Sequence, residues 1–220
     1  MPTPMVHLAV GLRLAQDWGR FADQPSYYLG LIAPDAIHMR EEPGRDDKIR
    51  SHLMRAAYHL IPLDELLAST AAFIAEHRAL DEGYIAGYAA HVLTDRLWVA
   101  RYEDARLSRL FGAGGRMDRA AYYNDLDQAD IALYRQLPQR PAIWRLLEAA
   151  RPIDLNGLVS SGEAGRWRNH VLRWFDAALA DMGRYRPATI ITDEYVRSFV
   201  ADAAIQVPRL LRQCAAWPAG

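Results

Sequence analysis

His91 and Asp95 lie four residues apart in the stretch at residues 84–98, YIAGYAAHVLTDRLW, and are the pair best suited to chemistry in this sequence. The stretch predicts one amphipathic helix, because its other positions are mostly apolar or small. Side chains at i and i+4 share a helix face, so the imidazole and the carboxylate can bind one partner. The pair is either half of a zinc-type site or an ordinary hydrogen-bonded pair. A carboxylate buried on such a face needs a compensating group.

Three more residues of the same types occur earlier in the chain. His7 lies beside the apolar stripe of a predicted first helix, Asp35 follows the corner made by Pro34, and His52 follows Ser51. Taken alone, His7 is consistent with a partly buried histidine, and Asp35 with a helix N-cap. His38, three residues after Asp35, would share the same site if Asp35 is a ligand.

Together these residues predict a metal site. The five potential ligands are His7, Asp35, His52, His91 and Asp95, all in the first 95 residues. Helical bundles build metal sites from side chains on facing helices, with imidazole and carboxylate as ligands. Three imidazoles and two carboxylates exceed one tetrahedral shell and suggest two metal ions bridged by a carboxylate. Such sites usually carry out hydrolysis, often of phosphate esters.

The elements that must position these residues are predicted to be helical. Predicted helices span about residues 4–18, 51–60, 63–80, 84–98, 119–137, 142–150, 162–182 and 192–214, the last interrupted at Pro208. Residues 25–35 are expected to be a short helical or extended segment, residues 40–50 a charged loop, and residues 184–191 the only stretch with β character. No repeat or βαβ alternation is present. We therefore expect an all-α fold in one domain, residues 1–220, with a metal-site half at about 1–137 and a C-terminal helical half at about 138–220.

The composition of the chain excludes several kinds of partner and site. The net charge of −1 offers no basic field for nucleic acid. Lys48 is the only lysine, which we attribute to compositional bias, and the single cysteine, Cys214, excludes a disulfide framework and a thiolate zinc site. No segment has transmembrane length, and the N-terminal stretch lacks a basic region and a cleavage site. The cytoplasm is the expected location, and the oligomeric state is left open.

The order of motifs resembles the zinc-dependent phospholipase C family. An early helix with histidine is followed by YYLGLIAPD, then SHL, then GYAAHVLTDRLW, and the match covers roughly residues 4–98. Further on, YYNDLDQAD resembles the helix that follows in many intracellular members. The resemblance implies the all-helical fold of the phospholipase C and P1 nuclease group.

The resemblance also implies roles for individual residues. His7 resembles the early histidine ligand, His52 the ligand on the following helix, and His91 with Asp95 the helix pair, in which Asp95 would bridge two metals. Asp35 resembles the carboxylate that is both a metal ligand and a candidate base that orients or deprotonates the attacking water. By its place in YYNDLDQAD, Asp127 is a further candidate ligand or neighbouring group.

Two features depart from the family pattern. The secreted members begin with a tryptophan whose amine binds metal, whereas here Met1 lies six residues before His7. They also carry further histidines downstream, whereas here the only histidine after His91 is His170. We therefore expect one or two ions, zinc or another divalent metal, rather than three.

The predicted function is hydrolysis of a phosphoester, most simply a phosphodiester, through a metal-activated water. The substrate would be a small phosphoester or a phospholipid headgroup. One alternative is a phosphomonoesterase or nucleotide hydrolase with HD-domain chemistry, which the missing His-Asp dipeptide disfavours. Another is a non-catalytic helical protein whose metal site serves stability alone; an open coordination position would separate it from a catalytic site.

Overall fold

A computed structural model describes residues 2–56, 61–101 and 118–214 of the chain. In these ranges every regular element is a helix, so the all-α expectation is confirmed there. The α-helices are α1 (Pro4–Trp18), α2 (Pro25–Gly30), α3 (Arg45–Ser51), α4 (Leu63–His77), α5 (Glu82–Ala100), α6 (Arg119–Gln136), α7 (Arg140–Ala149), α8 (Ser161–Ala180) and α9 (Asp193–Cys214). Two short 3₁₀ segments, Ala33–Met39 and Met182–Arg184, complete the set. No described helix is both long and apolar enough to cross a membrane.

Helix α1 begins and ends where the sequence predicts. Pro4 occupies its first turn, and Gly19 ends it in the left-handed conformation at φ 61°. Thr3 stands at the N-cap position, but its hydroxyl does not cap the helix and instead donates to Asp130 of α6 at 2.5 Å. The start of α1, three residues before His7, is thereby tied to α6.

Helix α5 is the centre of the fold and packs most closely against α2. Two glycines permit this approach: a Cβ on Gly30 would lie 2.2 Å from the carbonyl oxygen of Tyr84, and one on Gly87 would lie 2.2 Å from that of Tyr27. Any larger residue would push the helices apart. Because the chain passes directly from α2 into the 3₁₀ segment, this contact brings Asp35 towards the face of α5 that carries His91.

One helix was missed in the sequence and another was misplaced. Residues 45–50, expected to be part of a charged loop, form α3 together with Ser51, since Asp47 accepts a hydrogen bond from the backbone of Gly44 at 2.9 Å and Arg40 and Arg50 neutralise it. The helix expected over residues 51–60 does not begin at Ser51, which is the last residue of α3. Leu53 adopts φ 57°, which no continuing helix allows. The rest of that expected helix, 57–60, lies outside the described residues.

The C-terminal half supports the half that carries the predicted ligands. Helix α8 packs on the 3₁₀ segment that holds Asp35, and Arg40 just after that segment binds Glu163 of α8 at 2.7 Å. Helix α9 packs on α1, α4, α5 and α6. It continues through Pro208, contrary to the expected interruption, because the buried side chains on both sides of the proline hold it in place.

Residues 184–191, expected to have β character, form no strand. Their backbone is held by α6 instead: a carboxylate oxygen of Asp125 accepts hydrogen bonds from the N–H groups of Thr189, Ile190 and Ile191 at 3.2, 2.9 and 3.1 Å. The only β-type pairing among the described residues is an isolated bridge between Leu155 and Val159.

Candidate metal centre

The structure brings the five candidate ligands together from four segments of the chain. These residues, called the ligand cluster below, are His7 of α1, Asp35 of the 3₁₀ segment, His52 after α3, and His91 and Asp95 of α5. All five are buried. Two overlapping groups, one of His7, Asp35 and His91 and one of His52, His91 and Asp95, each place one ligand atom per residue within 4.8 Å of one another.

Asp95 lies between the three imidazoles. One of its oxygens, Oδ1, is 3.5 Å from Nε2 of His7, and the other, Oδ2, is 3.4 Å from Nε2 of His52 and 3.8 Å from Nε2 of His91. The two oxygens therefore face different histidines. A carboxylate in this position can bridge two cations.

Asp35, on the 3₁₀ segment, faces two of these imidazoles, those of His52 and His91. Its Oδ1 lies 3.4 Å from Nε2 of His52 and its Oδ2 lies 3.9 Å from Nε2 of His91. His91 is also stacked on His7, with ring centroids 3.7 Å apart and planes 9° from parallel. Two carboxylates and three imidazole rings thus surround one small volume.

Backbone carbonyls fix which nitrogen of each ring faces the cluster. Nδ1 of His91 lies 2.8 Å from the carbonyl oxygen of Leu31, and Nδ1 of His52 lies 2.9 Å from that of Lys48. Because a carbonyl oxygen only accepts, Nδ1 must carry the proton, and Nε2 of the neutral ring presents a lone pair to the carboxylates. This is the arrangement that metal-binding histidines adopt. A further hydrogen bond, from the Tyr88 hydroxyl to the carbonyl of Ser51, holds the end of α3 against α5.

Burial perturbs the protonation of the cluster. Burial raises the pKa of Asp95 and lowers the pKa of His91. Burial and the charge of His91 together hold the pKa of His7 well below its ordinary value. Burial alone would raise the pKa of Asp35, but Lys48 and the contact with His52 outweigh it and hold the pKa well below its usual range. Low pKa values favour neutral imidazoles, which leaves lone pairs facing carboxylate oxygens. Within the described chain, neither ring nitrogen of His7 has a hydrogen-bond partner, nor has Nε2 of His91.

Asp127 lies apart from the cluster. It is half-buried on α6, where it accepts a hydrogen bond from the Tyr185 hydroxyl at 3.3 Å. Burial raises its pKa. It lines a cavity of about 120 Å³ together with Thr3, Asp130 and aromatic residues of α8. Its role as a ligand or neighbouring group stays a prediction.

Sequence reasoning missed Lys48, which lies beside the cluster. Nζ of Lys48 is 3.5 Å from Oδ1 of Asp35 and 3.3 Å from Nε2 of His38. The missed helix α3 explains the omission: in a loop Lys48 has no fixed relation to His52, whereas in a helix the two are four positions apart and share a face. His38, which the sequence placed near Asp35, lies 3.7 Å from it.

Comparison of the chain with models of protein families, with curated proteins and with solved structures found no match. The resemblance to the zinc-dependent phospholipases C therefore stays a prediction, and so does the more specific fold type.

Proposed function

We propose that the protein is a metal-dependent hydrolase of phosphoesters, with zinc as the metal. The observation that carries the proposal is the orientation of the histidines: Nδ1 of His91 and of His52 is bound to a backbone carbonyl, so each Nε2 points at carboxylate oxygens. A lone pair facing an anion is unfavourable in a buried site unless a cation lies between them.

The donor set fits zinc. Imidazole nitrogen and carboxylate oxygen are its ligands in catalytic sites, and backbone carbonyls that accept from Nδ1 already orient His91 and His52. His52, His91 and Asp95 lie close enough together to hold one ion, and His7 with Asp35 would contribute to a second. Bound there, zinc would lower the pKa of a water molecule towards neutrality and polarise a phosphoryl oxygen.

The chain itself would supply positioning and proton transfer. Asp95, fully buried among three imidazoles, keeps the ligands in a fixed arrangement. Asp35 is the most exposed member of the cluster, at 7%, so its carboxylate is where an attacking water from solvent would be oriented and would lose its proton. Lys48, whose Nζ lies 3.5 Å from Asp35, favours an anionic substrate, and a phosphoester is the class that the resemblance in motif order also implies.

A purification without added metal tests the proposal. Elemental analysis is expected to find one or two zinc ions per chain, and the zinc-loaded protein is expected to hydrolyse bis(p-nitrophenyl) phosphate faster than p-nitrophenyl phosphate. Faster hydrolysis of the monoester would favour the phosphomonoesterase alternative. A protein that binds no zinc, with no change in melting temperature on adding it, would overturn the proposal.

The near-complete burial of four cluster residues favours a second candidate, a metal site that only stabilises the fold. Structural zinc sites are closed, whereas catalytic sites keep a position for water. Zinc bound at full occupancy with no hydrolysis of either ester would support this candidate. Binding of inorganic phosphate at the zinc would contradict it.

A further inference from the structure

In the described part of the chain, the ligand cluster reaches solvent on one side only. His52, His91 and Asp95 are fully buried and His7 is 1% exposed, whereas the side chain of Asp35 is 10% exposed. A molecule from solvent would therefore arrive past Asp35.

Two basic side chains, Lys48 and His38, lie at this opening. Lys48 and His38 lie 3.5 Å and 3.7 Å from Oδ1 of Asp35, and their side chains are 34% and 45% exposed. Both thus contact the cluster at one end and solvent at the other. The ring of Trp167 on α8 packs against His38, with centroids 5.9 Å apart.

Among the carboxylates that the structure describes, Asp35 is the one that pairs with Lys48. Its neighbour Asp47 is already engaged: Oδ1 accepts from Arg40 at 2.6 Å and from Arg50 at 2.5 Å, and Oδ2 accepts from the backbone of Gly44 at 2.9 Å. A metal ion bound to Asp35 would neutralise that carboxylate. The N–H groups of the Lys48 ammonium could then donate hydrogen bonds to an incoming anion.

We propose that Lys48 is a substrate-binding residue that contacts the non-bridging phosphoryl oxygens at the mouth of the ligand cluster. The inference rests on the proposed function. A cation beside the reacting group stabilises the negative charge of a phosphoryl group. An ammonium group suits this place, because it is a compact charge on a flexible stem that can move from Asp35 to the ligand.

A purely structural role for Lys48 makes a different prediction. If Lys48 only neutralises buried Asp35, its loss lowers the stability of the metal-free protein and leaves anion binding by the zinc-loaded protein unchanged. If Lys48 binds phosphoryl oxygens, its loss weakens anion binding at unchanged zinc content. The decisive quantity is therefore the affinity of the zinc-loaded protein for inorganic phosphate.

Isothermal titration of zinc-loaded protein, freed of excess zinc, with inorganic phosphate measures this affinity. Lys48→Met is expected to weaken binding roughly 10- to 100-fold, the range for loss of a hydrogen bond to a charged group. Lys48→Arg, which keeps the charge, is expected to remain within about threefold of the wild type. Arg50→Met is the matched control, since it removes one positive charge from the same exposed helix while Arg40 still holds Asp47.

Because Lys48 is the only lysine, its modification gives a second readout. Trinitrobenzenesulfonate labelling, followed by peptide mass spectrometry to separate Lys48 from the terminal amine, is expected to be slowed by phosphate in the zinc-loaded protein. Equal phosphate affinity in Lys48→Met and the wild type, at equal zinc content, would overturn the inference while leaving the proposed function standing. A wild-type protein that binds no zinc would overturn both.

Discussion

Among the regions of the described chain that bury carboxylates, α6 and the ligand cluster satisfy them in opposite ways. On α6, Asp125 receives three backbone N–H groups and Asp130 receives the backbone N–H of Met5 and the hydroxyl of Thr3. In the ligand cluster, Asp35 and Asp95 instead face imidazole nitrogens at 3.4–3.9 Å. Backbone donors cannot be exchanged for a ligand, whereas a ring nitrogen with a lone pair can share a cation. Burial of an acidic residue therefore does not identify its role. Backbone and hydroxyl donors indicate a structural role, whereas facing imidazole nitrogens indicate a metal site.

The largest effect is expected from Asp95→Asn, which removes the carboxylate between the three histidines. Zinc affinity should fall by more than the roughly 10- to 100-fold that loss of an outer-shell partner costs. Zinc content after dialysis against a weak chelator measures it. The matched control is Asp125→Asn, an equally conservative change of a buried carboxylate, which should retain zinc. Full zinc content with normal hydrolysis in Asp95→Asn would show that Asp95, like Asp125, is not needed to hold the metal.

The second prediction concerns stability with and without metal. Zinc at about 100 times its dissociation constant should raise the free energy of unfolding by about 2.7 kcal/mol, because it binds only the folded cluster. For a chain of this size the melting temperature should rise by roughly 5–10 °C. Differential scanning calorimetry with zinc and with chelator tests this. The rise should persist in Asp125→Asn and vanish in Asp95→Asn.

A third prediction addresses Asp125 itself. Asp125→Ala leaves the N–H groups of Thr189, Ile190 and Ile191 without their acceptor. Ile191 is buried, and one unsatisfied buried donor costs about 1–3 kcal/mol. Urea unfolding of the metal-free protein should show this loss. Zinc affinity should stay as in the wild type, and a large fall in it would mean that the two regions are coupled.

The smallest effect concerns pH. Burial raises the pKa of Asp130 from 3.8 to about 8, against the opposing hydrogen bonds from Thr3 and Met5. The folded protein thus holds a proton there that the unfolded chain releases, so this residue's contribution to stability falls as pH rises from about 4 to about 8. Between pH 6 and 7, wild type should lose up to about 1.4 kcal/mol more than Asp130→Asn. Urea unfolding with chelator at both pH values measures the difference, and identical pH dependence would refute the raised pKa.

Much of the helical framework follows from local sequence. Helix α1 is defined by Pro4 and Gly19, and α5 by Asp81, whose side chain caps it, and a long run of apolar and small residues. These signals act within a few residues, so they can be identified without tertiary structure. Helix α3 was missed because its sequence is charged and offers no apolar periodicity. It is held by ion pairs to Arg40, which is itself positioned by α8.

The sequence by itself determined the residue types and the spacing of His91 and Asp95, which helix geometry places on one face. It also supplied the glycines of α2 and α5. Only the tertiary structure decided that His7, Asp35 and His52 meet that face, that Asp125 and Asp130 are bound to backbone and hydroxyl donors, and that Lys48 stands at the opening. The physical reason is that the partner of a buried charge is set by which chain segments pack together, and residues distant in sequence carry no local signal of that contact.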